Sequence, residues 1–79
     1  MMRTEQEVRE LYKQYVYRFA QAKLDEDKKK EDIFFGASFA LGRALNKDMK
    51  KINSDYEVAI GFIKRLREEG KELPGFKEI

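Results

Sequence analysis

Apolar and polar residues follow one another along this chain with the period of an α-helix. At about 100° per residue, Val8, Leu11, Tyr12, Tyr15, Val16, Phe19 and Ala22 fall within an arc of roughly 140°, with Tyr17 on the opposite side. Thr4-Glu5-Gln6-Glu7 stands in front of that stripe as a capping box, in which a hydroxyl and a carboxylate satisfy free backbone amides. The pattern predicts a first helix over residues 4–24, fading at Leu24 into the polar run Asp25 to Lys30.

Ile33, Phe34, Ala37, Ala40, Leu41, Ala44 and Leu45 form the next stripe and carry a second helix from about residue 29 to residue 47. Gly36, Ala40 and Ala44 lie nearly in line and would let another backbone come close. Met49 and Ile52 continue the spacing, so the helix can extend to Ile52. Of the two asparagines able to end it, Asn46 and Asn53, the break by Asn53 is favoured. Ser54-Asp55-Tyr56-Glu57 then reads as a second capping box. Tyr56, Ala59, Ile60, Ile63 and Leu66 supply a third stripe, and Gly70 sits where a left-handed C-terminal cap belongs, which predicts a third helix over 54–69. Residues 71–79 read as an extended tail whose Leu73, Phe76 and Ile79 are available to fold back. The sole proline is Pro74, and no Asn-Gly or Asp-Gly pair signals a hairpin. The expectation is one all-α domain spanning residues 1–79, a three-helix bundle in up-down-up order because the connections are short.

Composition narrows the chemistry. The chain of 79 residues has no cysteine and no histidine, which removes thiolate metal sites, cysteine nucleophiles, disulfides and imidazole bases. Charged residues reach 41%, yet 17 basic residues stand against 15 acidic ones, a net charge of +2. The longest uncharged stretch, Ile33 to Gly42, is ten residues, about half of what a membrane span needs. The opening Met1-Met2-Arg3-Thr4-Glu5 has no apolar core of the signal-peptide kind, so the expected location is cytoplasmic.

Candidate catalytic and metal groups fail one by one. Ser38 has no histidine to activate it, and Ser54 and Thr4 are read as helix caps. Calcium loops counted from Asp25 or Asn53 place Lys30 or Val58 where the turn glycine belongs, and Gly36 or Lys64 where the bidentate glutamate belongs. Gly36 to Gly42 is followed by Arg43-Ala44 inside a helix, unlike a phosphate loop. No catalytic residue, cofactor site or metal site is expected, and the chain is not expected to be an enzyme.

Apolar residues nevertheless exceed the needs of one core. Phe35, Phe39 and Gly42 lie about 180–240° from Ile33 around the second helix, and Val58 and Phe62 stand outside the third stripe. These five are the candidate protein interface, centred on Phe35 and Phe39. A homodimer is the expected use, with an unrelated protein partner or completion of an irregular core as the other readings. The alternative function is DNA or RNA binding through Arg43, Lys47, Lys50, Lys51, Lys64 and Arg65. A helix-turn-helix would want a shorter, glycine-bearing turn than this chain offers, and Glu57, Glu68 and Glu69 dilute the basic face.

Overall fold

A computed structural model describes residues 4–71, which form three helices: α1 (Glu5–Leu24), α2 (Lys28–Ala44) and α3 (Met49–Glu68). The expected tail lies outside the described residues beyond Lys71. Helix α1 packs against both of the others. Tyr12 near its start meets Gly42 late in α2, and Lys23 near its end meets Glu31 early in α2, so these two run antiparallel. Tyr12 also meets Asp55, and Asp25 just beyond α1 meets Arg67, so α3 runs parallel to α1. The order is up-down-up.

Local chemistry sets every helix end. Side chains of Thr4, Asp27 and Asp48 accept from the amides of Glu7, Lys30 and Lys51 at 3.2, 3.2 and 2.8 Å, so each helix opens on an N-cap. The three C-termini close alike. Glu26, Asn46 and Gly70 adopt φ of 58°, 63° and 70°. The amide after each reaches back to Ala22, Gly42 and Leu66 at 3.0, 3.0 and 2.8 Å, the Schellman arrangement.

That closure corrects two expected boundaries. The chain turns at Asn46 and not by Asn53, and α3 opens at Asp48, so Ser54 and Asp55 lie inside the helix. Ile52, Tyr56, Ala59 and Ile63 form one continuous buried row, and a helix starting at Ser54 would have cut Ile52 from it. The core joins this row to Tyr12, Val16, Phe19 and Ala20 of α1.

Helix α2 is turned about a quarter of a revolution from the expected orientation. Ser38 and Gly42 are buried, while Ile33 is 57% exposed and Ala40 and Ala44 face solvent. The physical reason is Gly42. A Cβ built there would stand 2.9 Å from both Ile52 Cδ1 and Tyr12 Cε1, so the inward-facing backbone comes as close to its neighbours as a bare glycine allows. Tyr17 is also corrected. It is half-buried, with its ring 5.6 Å from that of Phe62, and not on an outer face.

Candidate functional site

Two polar devices cross the helix interfaces. Asp55 turns from α3 toward α1 and accepts the Tyr12 hydroxyl at 2.6 Å. Lys47 and Lys51 approach the same carboxylate at 3.5 and 3.4 Å, and Lys47 Nζ also lies 5.2 Å from the Tyr12 ring centre. Burial pushes the Asp55 carboxyl up, but the Tyr12 hydrogen bond and the two ammonium groups outweigh it and hold the group below its ordinary range. Burial, the Asp55 hydrogen bond and the negative charge beside it hold the Tyr12 phenol well above the ordinary tyrosine value. A carboxylate so held and tied to three donors is a poor general base at neutral pH. Deeper in, the single Ser38 hydroxyl proton goes to the Phe35 carbonyl at 3.1 Å, so Ser38 Oγ accepts from Tyr56 at 2.7 Å. Burial raises the Tyr56 phenol, opposed by the Ser38 bond and assisted by Asp55.

Beside the Tyr12–Asp55 pair, α1 and α3 leave an open hollow of about 270 Å³ with Val16 and Ala59 among its apolar lining and Arg9, Lys13 and Lys47 among its charged groups. Among the described residues no group of three acidic, histidine or cysteine side chains could hold a metal ion, and no helix is long and apolar enough to cross a membrane.

The five expected interface residues do not form one patch. Phe35 stacks on Phe39 at 6.0 Å and also reaches Phe19 at 5.8 Å and Tyr56 at 5.7 Å, so it spans core and surface while remaining 41% exposed. Gly42 is a core contact and leaves the candidate surface altogether. Val58 and Phe62 are exposed on the other flank of α3, where Val58 lines the hollow beside Tyr17 and Phe62 packs on the Tyr17 ring. Ile33, Gly36, Ala40 and Ala44 instead join Phe35 and Phe39 on the open side of α2.

The signal for that surface was in the chain. From Ile33 to Gly42 no residue is charged, and Ser38, the one polar side chain, is turned inward. A helical segment without charge on any side cannot offer water an ionic face, however it is rotated.

The six basic candidates are dispersed. Lys47 and Lys51 converge on Asp55, and Arg43 donates to the Lys47 carbonyl at 3.3 Å. Lys50, Lys64 and Arg65 are exposed on α3, with Lys50 and Lys64 about four turns apart. Comparison with known proteins gives no match: no family model fits this chain, and neither the curated proteins nor the solved structures resemble it.

Proposed function

We propose that this chain is a non-catalytic helical interaction protein that docks a partner helix on the outer face of α2. The observation that carries the reading is the uncharged, outward surface between Ile33 and Gly42, bounded by Asp32 and Arg43. Covering the exposed part of an isoleucine and the edge of a phenylalanine is favourable by about 1–2 kcal/mol each. Gly36 strengthens the case. An added Cβ there would meet nothing within 4 Å, so intrachain packing does not require a glycine. Glycine in a helix costs about 1 kcal/mol relative to alanine, and close approach of a second backbone accounts for keeping it.

A photo-crosslinking phenylalanine analogue placed at Ala40, compared with one at Ser54 on the outside of α3, tests the reading in cells. Both positions are exposed. Covalent adducts are expected from position 40 and not from position 54. No adduct from position 40, or equal yields from both, would sink the docking face.

A further inference from the structure

We propose that the hollow between α1 and α3 binds a small monocarboxylic acid with an apolar body, its carboxylate held by Arg9 and Lys13 and its body laid against Val16, Val58 and Ala59. The site shares no residue with the outer α2 face, so it stands apart from the docking reading above. Two parallel helices give the hollow its polarity. Along α1 the lining passes from Arg9 and Lys13 to Val16 and Tyr17, and along α3 from Asp55 to Val58 and Ala59. Because α1 and α3 run in the same direction, both walls change from charged to apolar toward the same end. Arg9 and Lys13 are about one turn, roughly 6 Å, apart along the axis, so two cations border the charged end. A ligand that suits both ends carries a polar head and an apolar body.

The charges around the head select an acid. Asp55 is the one carboxylate among the described lining residues, and it is already committed: it accepts the Tyr12 hydroxyl at 2.6 Å and holds Lys47 and Lys51 at 3.5 and 3.4 Å. Outside the lining, Glu5 accepts from Arg9 Nη2 at 2.8 Å, Glu10 accepts from Gln6 at 3.3 Å, and Glu57 is exposed beside Val58. Arg9, Lys13, Lys47 and Lys51 outnumber Asp55 and Glu5 by two, and still by one with Glu10 counted, which suits a single carboxylate. Arg9 keeps N–H donors beyond the one given to Glu5. Lys13 is exposed and has no hydrogen bond or ion pair among the described residues. At the other end Val16 and Ala59 are buried and form the floor, while Val58 is 67% exposed and leaves apolar surface for a ligand to cover. A volume of about 270 Å³ lies at the lower edge of small-molecule sites, roughly 300–1,000 Å³, so the body is a compact ring system or a medium-length chain.

Calorimetric titration of the purified protein with sodium 2-naphthoate and, separately, sodium octanoate is the test, with heteronuclear NMR on the same samples to locate the contact. Saturable binding of at least one acid is expected, with the largest amide shifts at Lys13, Val16, Val58 and Ala59. The tighter of the two identifies the body as aromatic or alkyl. The matching alcohols, 2-naphthylmethanol and octanol, keep the body and lack the charge, and should bind about tenfold more weakly. Lys13→Glu should weaken the acids by about tenfold and leave the alcohols unchanged, whereas Val58→Asp should weaken all four. Both positions are exposed, so helicity by circular dichroism should not change. No saturable binding of either acid, or equal affinity for acids and alcohols on the parent protein, would overturn the assignment. So would amide shifts centred outside the hollow, or acid binding indifferent to Lys13→Glu.

Discussion

Gly36 and Gly42 lie in one helix and should respond in opposite directions to the same methyl group. At Gly36 an alanine Cβ enters open space, so the substitution brings only the helix-propensity gain of about 1 kcal/mol. At Gly42 the Cβ would arrive 2.9 Å from Tyr12 Cε1, 2.9 Å from Ile52 Cδ1 and 3.1 Å from Ile52 Cγ1. The Ile52 terminus can swing, but the Tyr12 ring is fixed by its hydroxyl bond to Asp55. Overpacking of this kind costs about 1–3 kcal/mol, which after the propensity gain leaves Gly42→Ala less stable by about 1 kcal/mol. The two variants should therefore differ by about 2 kcal/mol. For a domain of this size that is a Tm about 5 °C above the parent for Gly36→Ala and a similar amount below it for Gly42→Ala. Thermal and urea unfolding followed by circular dichroism read the difference directly. Equal stabilisation of the two variants would refute the seating of α2 on Tyr12 and Ile52 and favour the rotated helix that the apolar stripe alone suggested.

Three further outcomes follow from the polar groups and the turns. Ser38→Ala and Tyr56→Phe should each cost about 1–2 kcal/mol by breaking a buried hydrogen bond, and the double variant should cost clearly less than the sum, as a double-mutant cycle in urea would measure. Stability should fall at both pH extremes. Asp55 titrates below its unfolded value, so its contribution is present above that value and is lost as pH falls through the acid range, a slope that Asp55→Asn removes. Tyr12 and Tyr56 titrate above theirs, so their contribution is complete below about pH 10 and is lost as pH rises beyond it, which unfolding midpoints against pH would show. Glu26→Gly should raise stability by about 0.5–1 kcal/mol in urea unfolding, because a side-chain-bearing residue holds φ of 58° there.

The fold class, helix α1 with its Thr4 cap, and the Gly70 stop were legible because each is a local signal that agrees with the periodic stripe beside it. Helix α3 shows how local signals mislead. Ser54 to Glu57 matches a capping box as well as Thr4 to Glu7 does, but Asp48 also caps, and the burial of Ile52 decided between them. The rotation of α2 about its own axis was hidden for a different reason. Between Ile33 and Gly42 the helix has no charged residue on any side, so several rotations bury an apolar face equally well, and backbone clearance at Gly42 made the choice instead. The Tyr12–Asp55 bond joins residues 43 positions apart and had no local signature at all. The outer α2 surface was legible in the chain itself, since charge is missing from the whole circumference between Ile33 and Gly42.

The arrangement of two helices around a third has a kinetic consequence. The α1–α2 pair is an antiparallel hairpin closed by Asp25, Glu26 and Asp27, so its contacts are near in sequence and its loop closure is fast. Contacts of α3 with α1 span far more of the chain, as Tyr12 with Asp55 and Asp25 with Arg67 illustrate. The hairpin is therefore suited to nucleate, with α3 adding later and reopening first. Amide protons of α1, sheltered from both sides, would exchange most slowly with solvent, and those of α3 would report the earliest excursions from the native state.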